Sequence, residues 1–200
     1  MQYFRGAIVA VLLMAAAIGI NFPLAWASQD TPKQVQVSDL SGLHDFDFFV
    51  GTWQTHSRRL KERLVGSNDW ETFDGTIRNI KLMNGLANVD DTEFDTPEGI
   101  YRGVAPRAYD PKSGLWAIWW IDGRNPHGPL DPPVKGRFVH GVGTFYADDT
   151  LRGKPIKVRF TWSGIKAQSA HWEQAYSGDG GKTWETNWAA DFNKVACDDQ

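Results

Sequence analysis

Short runs in which apolar and polar residues alternate follow one another along most of this chain, and clusters of Gly, Asn, Asp and Pro separate them. Such runs, rich in β-branched and aromatic residues, are typical of strands, and the clusters are typical of turns. The pattern predicts ten strands, at 51–60, 70–82, 86–94, 100–109, 115–122, 134–140, 142–147, 156–164, 168–177 and 184–194. Consecutive strands joined by short turns indicate an all-β, antiparallel up-and-down sheet. We expect it to close into a barrel, because closure removes exposed strand edges.

An apolar segment, 46–53, leads into the first predicted strand. Asp39 or Ser41 can cap a short helical turn ahead of it, because their side-chain oxygens accept the first unpaired N–H groups. Gly51 permits a sharp change of direction, and Trp53 supplies a large apolar surface. We therefore expect a short N-terminal helical plug at one end of the barrel, with Gly51 and Trp53 in structural roles.

Alternation along the C-terminal strands predicts which side chains face the interior. In 156–163 the apolar residues occupy every second position, and in the last strand Trp184, Trp188 and Phe192 are assigned to the inner face. The expected aromatic lining is Phe160, Trp162, Trp172, Tyr176, Trp184, Trp188 and Trp119 or Trp120. Two interpretations are open: the rings fill a small barrel, or a ten-stranded barrel leaves a cavity for a ligand.

The run 115–122 is apolar on both faces, with Trp116, Trp119 and Trp120 among its residues. Such a strand is either covered on both sides or carries an exposed aromatic patch. An exposed patch would indicate an interaction protein and a homodimer in solution.

The first 27 residues have the parts of a secretory signal peptide: Arg5, an apolar run over 6–20 and an A-x-A site ending at Ala27. An uncleaved membrane anchor is the alternative, but Pro23 followed by small residues favours cleavage. We predict a periplasmic or secreted protein without stable membrane association after cleavage. The predicted organisation is a signal peptide (1–27), a flexible lead-in (28–38), a single barrel domain (39–195) and a polar tail (196–200).

Composition narrows the classes of partner. The net charge is −3, and removal of 1–27 takes away one Arg and no acid, which makes it −4. An acidic balance argues against binding to nucleic acid. The lone Cys197 cannot form an internal disulfide, and ten tryptophans indicate an aromatic core. The five histidines show no zinc-site spacing, so no metal and no cofactor is predicted.

One long loop, 123–133, is rich in Pro and Gly. It is a candidate location for a functional site, because long ordered loops in scaffolds of hairpins often contain binding or catalytic residues. Asp122, Arg124, His127 and Asp131 lie in or beside it. They could orient a ligand at the barrel mouth, or Asp122 and His127 could act as acid and base. Alternatively, Asp122 caps the turn and Arg124 pairs with Asp131.

A second acidic group consists of Asp90, Asp91, Glu93 and Asp95. We expect this run to be solvated or to form a weak cation site, because the pattern of a calcium loop is absent.

Four segments carry a family resemblance: Asp47-Phe-Phe-Val-Gly-Thr-Trp53, Tyr109-Asp-Pro, Trp119-Trp-Ile-Asp122 and the last strand. With them the chain resembles the calycin superfamily and is similar to a lipocalin-like family of bacterial exported domains of unknown function. The resemblance implies a lipocalin- or nitrobindin-like barrel whose cavity takes a small apolar ligand. In lipocalins an Arg of the last strand packs on the Trp of the first strand. In this sequence the nearest counterpart of that Arg is Lys194. Haem ligation by His171, by analogy with nitrobindin, is the one cofactor alternative.

The segment Ser177-Gly-Asp-Gly-Gly-Lys-Thr-Trp184 matches the Asp-box pattern S-x-D-x-G-x-T-W of sialidase propellers. A propeller needs repeated blades, and a single copy is present. We therefore assign Asp179 and Trp184 structural roles in a tight hairpin.

These observations predict a barrel that binds a small hydrophobic or aromatic ligand. The predicted ligand-binding residues are Trp119, Trp120, Trp162, Trp172, Trp188 and Arg124. A cofactor-independent isomerase or hydrolase using Asp122 and His127 is the alternative from another class, and it requires both groups to converge on the cavity.

Overall fold

The strands of this protein form one closed antiparallel barrel, described by a computed structural model for residues 38–195. The strands are β1 Gly51–Leu60, β2 Trp70–Leu82, β3 Ala87–Thr96, β4 Gly99–Asp110, β5 Leu115–Ile118, β6 Ile121–Asp122, β7 Val134–Val139, β8 Val142–Leu151, β9 Lys154–Ser163, β10 Ser169–Ser177 and β11 Glu185–Lys194. The helical content is two 3-10 turns, Asp47–Phe49 and Met83–Gly85. The predicted fold class is confirmed. The predicted signal peptide, the predicted lead-in up to residue 37 and the tail 196–200 lie outside the described residues.

When β5 and β6 are taken together, each strand pairs with its neighbours in sequence, and the first strand pairs with the last. In the β1–β11 pairing Trp53 lies opposite Lys194 and Thr55 opposite Phe192. The elements β5 and β6 form one barrel strand, because both pair with β4 in a single register. Between them the Trp119 N–H donates to the Pro106 carbonyl at 3.0 Å, whereas Pro106 has no N–H to return a bond. The barrel therefore has ten strands.

The run 115–122 is covered. Trp116 and Ile118 are buried and the other six residues are half-buried. The exposed aromatic patch that the interaction-protein alternative requires is therefore missing from this strand.

The segment before β1 closes one end of the barrel. Phe46 and Phe49 are almost fully buried and contact Trp162, with ring centroids 6.2 and 4.9 Å away. The Trp53 Nε1–H donates to the Phe49 carbonyl at 2.8 Å, and the Lys194 ammonium lies 5.3 Å from the centre of the Trp53 ring. Lys194 thus occupies the place that the resemblance assigns to an arginine.

Gly51 allows the chain to turn from the plug into β1. Its φ of +118° lies in a region that residues with a Cβ rarely adopt, and a Cβ there would meet Lys194 Cε at 3.1 Å.

A β-bulge in β11 corrects the predicted position of Trp184. Gln174 lies opposite Trp188 and Ala175 opposite Thr186, so Asn187 is an extra residue. One extra residue reverses the alternation, because side chains in a strand alternate with a period of two. Trp184 therefore leaves the interior and packs on the outer surface, with its ring 6.0 Å from the Tyr146 ring and 4.5 Å from the Arg159 guanidinium carbon.

The Asp-box segment forms a hydrogen-bonded loop between β10 and β11. The Asp179 carboxylate accepts bonds from the Thr183 N–H and hydroxyl at 3.0 and 2.7 Å and from the Ser177 hydroxyl at 2.7 Å. The Trp184 Nε1–H donates to the Gly181 carbonyl at 3.1 Å. These bonds, led by the Thr183 N–H, hold the pKa of Asp179 well below its usual range.

Replacing Asp179 with alanine is expected to lower the melting temperature by an amount that depends on pH. A depressed pKa means that the ionised carboxylate stabilises the fold fully above its unfolded pKa of about 3.9, and this contribution is lost as the pH falls toward the folded pKa. The difference between wild type and Asp179→Ala should stay constant from pH 7 to 5 and shrink below pH 4. Thermal unfolding across this range measures it, with Asp91→Ala, at an exposed position, as control. A difference that grows at low pH would contradict the assignment.

Candidate functional site

A cavity of about 300 Å³ runs through the barrel from the plug to the opposite mouth. All five tryptophans predicted to bind a ligand line it, together with Arg124. Other lining residues are Thr55, Ser57, Arg59, Arg63, Asp90, Phe94, Arg107, Asp131, Asp149, Phe160, Gln174 and Tyr176. The barrel is therefore not filled by its own side chains, which decides between the two interpretations of the aromatic lining.

Aromatic rings form one wall of the cavity. The Trp188 ring lies 5.7 Å from Trp172 and 5.6 Å from Phe94, and Phe94 lies 6.2 Å from Trp120. Trp120 lies directly on Gly103, where a Cβ would approach the indole to 2.3 Å. Glycine at this position of β4 therefore lets the ring lie flat against the barrel wall.

A buried ion pair borders the inner end of the cavity. Arg107 and Asp90 are each 4% exposed at the side chain, and two Arg107 nitrogens donate to the two Asp90 oxygens at 2.6 and 2.8 Å. The Asn79 side-chain amide donates to Asp90 at 2.6 Å. The guanidinium carbon lies 5.1 and 5.0 Å from the Phe46 and Phe49 rings of the plug. The expectation of a solvated acidic run is therefore wrong for Asp90, because Asp90 points inward from β3.

A second ion pair lies near the mouth. Arg59 donates to Glu71 at 2.7 Å and to the Tyr101 hydroxyl at 3.3 Å, and its guanidinium carbon lies 5.2 Å from the Trp188 ring. Burial raises the pKa of Tyr101. Tyr101 is therefore a neutral hydroxyl at physiological pH.

Besides Arg124, two acids and one further arginine line the mouth: Asp131, Asp149 and Arg63. Burial, with a smaller effect of the Asp149 charge, raises the pKa of Asp131. Burial also raises the pKa of Tyr176, whose ring lies 6.0 Å from the Arg63 guanidinium carbon. Among the residues that the structure describes, no carboxylate lies within ion-pairing distance of Arg63.

Asp122 and His127 do not converge on the cavity, which the acid–base alternative requires. Asp122 accepts hydrogen bonds from the Arg124 side chain at 2.6 to 3.1 Å and from the Arg124 N–H at 2.9 Å, and the side-chain bond contributes most to its lowered pKa. His127 is exposed in the 123–133 loop. Neither residue lines the cavity. Arg124 pairs with Asp122 rather than with Asp131, and its guanidinium carbon lies 3.9 Å from the Tyr101 ring centre.

His171 faces away from the cavity. Its Nδ1 lies 2.6 Å from an Asp191 oxygen and its Nε2 lies 3.4 Å from a Glu173 oxygen, both on the outer face. His171 is therefore not among the residues that line the cavity. Within residues 38–195 no group of three or more His, Cys, Asp or Glu side chains is placed to hold a metal ion.

The polar lining residues of β1 were not among the predicted site residues. Thr55, Ser57 and Arg59 share the inward parity of Trp53 and line the cavity. Alternation from Trp53 would have identified them. Arg107 likewise shares the inward parity of Tyr101 and Tyr109 in β4, although charged residues in strands are more often exposed than buried.

Comparisons with known proteins found similarity in fold but no match in sequence. No protein-family model matches this chain, and no curated protein matches its sequence. Among solved structures, the S-type phycobiliprotein lyase CPES from Guillardia theta is similar over 76% of this chain and 90% of its own, with a TM-score of 0.51 and 9% identity. EF1p2_mFAP2b bound to DFHBI matches over 77% of this chain and 99% of its own, with a TM-score of 0.42 and 11% identity. The likeness to the lyase shows a shared β-barrel fold.

In residues 38–195 no helix has the length and apolar character of a membrane span.

Proposed function

We propose that this protein is a binding barrel that takes up a small aromatic or hydrophobic molecule. The carrying observation is the cavity of about 300 Å³ lined by five tryptophans. Cavities of this size, walled by aromatic side chains with a few polar groups, are typical of small-molecule sites. The plug closes one end, so the ligand enters at the mouth formed by Arg63, Arg124 and Asp131.

The aromatic wall is rigid in its own right. The Trp188 ring contacts Trp172 edge-on and Phe94 at a tilt, and it lies between Phe73 and Arg59. A wall that is ordered before the ligand arrives loses little conformational entropy on binding. This supports selection of planar molecules that stack on the rings.

Native mass spectrometry of protein purified from its own host, beside the denatured protein, tests the proposal. We expect a co-purifying small molecule that is lost on denaturation. Ala147→Phe places a ring in the cavity and should weaken binding at least tenfold, because it occupies ligand volume. Ala167→Phe, at an exposed position, is the matched control and should bind as wild type does. Two results together would contradict the proposal. The protein from its native host would show only the apo mass, and Ala147→Phe and Ala167→Phe would bind ligands found in a screen equally well.

We further propose that the barrel acts outside the cytoplasm, as one of the lipocalin-like exported proteins. The support is the charged, apolar and A-x-A parts of segment 1–27. Fractionation of the native cells, with N-terminal sequencing of the mature protein, tests cleavage after Ala27.

A further inference from the structure

Several residues that line the cavity carry a buried hydrogen-bond donor without an acceptor. Among the residues described, six polar side-chain atoms of the lining are buried without a partner: Thr55 Oγ1, Ser57 Oγ, Arg63 Nε, Arg107 Nε, Trp162 Nε1 and Trp188 Nε1. All six can donate a hydrogen bond, and the guanidinium and indole nitrogens can only donate. Buried polar groups in native proteins are nearly always paired, so this set indicates a ligand that accepts hydrogen bonds.

Four of these donors belong to the inner half of the cavity. Thr55 and Ser57 are successive inward positions of β1, with Thr55 opposite Phe192 of β11. Phe192 contacts Trp162 at 5.0 Å, and the Arg107 guanidinium carbon lies 6.0 Å from the Trp162 ring. The four residues are 0 to 4% exposed, so bulk water does not satisfy them. Asp131 and Asp149, the lining carboxylates that form no ion pair within residues 38–195, are at the mouth instead.

The inner end carries no net charge, although it contains an arginine. Asp90 binds two of the three Arg107 nitrogens and itself borders the cavity. An anion buried there would find no free cation to balance its charge, because Asp90 already neutralises Arg107. It would also lie close to the Asp90 carboxylate. Burying an uncompensated charge is strongly unfavourable, whereas a neutral oxygen that accepts hydrogen bonds is well suited to the site.

We infer that the ligand is a planar aromatic molecule bearing a neutral carbonyl-type oxygen. The ring stacks on the tryptophan wall, and the oxygen points to the inner end, where its two lone pairs accept from two of the four donors Arg107 Nε, Trp162 Nε1, Thr55 Oγ1 and Ser57 Oγ. This inference rests on the proposed binding function and specifies its ligand class.

Calorimetric titration with three naphthalenes that differ only in the substituent at position 2 tests it: 2-acetylnaphthalene, 2-ethylnaphthalene and 2-naphthoate at pH 7. The ketone should bind at least tenfold more tightly than the ethyl compound, a difference of about 1.4 kcal/mol. The reason is that the ethyl group leaves the buried donors without a hydrogen-bond acceptor. The naphthoate should bind more weakly than the ketone.

Variants assign the preference to the inner end. Thr55→Val combined with Ser57→Ala removes two hydroxyls at nearly constant volume, and it should reduce the ketone preference several-fold while the affinity for 2-ethylnaphthalene stays within about twofold. Thr76→Val, on the exposed face of β2, is the matched control and should keep the full preference. Circular dichroism establishes that each variant is folded.

The outcomes separate the two proposals. Binding of all three naphthalenes with no preference for the ketone, or a preference that survives the double variant, overturns the inference and leaves the binding function intact. If the naphthoate binds most tightly of the three, the inference of a neutral acceptor oxygen is overturned and the site is an anion site. Failure of all three to bind, with an apo mass from the native host, contradicts the binding function itself.

Discussion

Replacing Asp90 with asparagine is expected to lower the free energy of unfolding by about 3 to 5 kcal/mol. The substitution preserves shape but leaves Arg107 as a buried charge without its counterion. Arg107 is 4% exposed, so solvent cannot compensate for the lost carboxylate. Urea denaturation followed by tryptophan fluorescence measures the change.

The matched control is Asp148→Asn. Asp148 accepts from Lys157 at the same 2.6 Å, but its side chain is 82% exposed, and exposed pairs contribute about 1 kcal/mol or less. Adding Arg107→Gln to Asp90→Asn should recover part of the lost stability, because the unpaired charge is then removed. Equal effects of Asp90→Asn and Asp148→Asn would contradict burial of the pair.

Replacing Trp53 with alanine is expected to destabilise the barrel by about 3 to 5 kcal/mol. Trp53 is fully buried, packs 5.7 Å from Phe49 and 6.3 Å from Phe192, and donates to the Phe49 carbonyl. Its loss therefore removes the contact between the plug and the first strand. A domain of ordinary stability has about 5 to 15 kcal/mol in total, so the variant should melt at a much lower temperature.

Trp70→Ala is the control for loss of an indole. Trp70 begins β2, is half-buried and packs 4.9 Å from the Arg58 guanidinium carbon. Its loss should lower the free energy of unfolding by less than half as much as Trp53→Ala. Chemical denaturation of both variants provides the comparison. Equal losses would show that the plug does not depend on Trp53.

The strand predictions succeeded because alternation is a local property of the chain. The third predicted strand, 86–94, corresponds to β3 over Ala87–Thr96, and the eighth, 156–164, corresponds to β9 over Lys154–Ser163. The inward set of β9, from Ile156 to Trp162, followed from the same alternation. Short turn sequences mark the ends of the strands. The pairing of consecutive strands into hairpins could therefore be predicted from the local sequence.

Trp184 and Asp90 show where local reasoning stops. Trp184 changes sides because Asn187 bulges, and a bulge is defined by the pairing of β11 with β10, not by either strand alone. Asp90 is buried because Arg107 reaches it from the adjacent strand, 17 residues along the chain. Asp122 and His127 are close in sequence, yet the loop leaves one on Arg124 and the other in solvent.

The sequence by itself determined the class of fold, the plug and the aromatic character of the interior, because periodicity, glycine and tryptophan act through neighbouring residues. Only the tertiary structure decided that a cavity remains, that Arg107 and Asp90 pair at its inner end and that unpartnered donors line it. Those features depend on barrel closure and strand register, which bring side chains from distant strands into one interior.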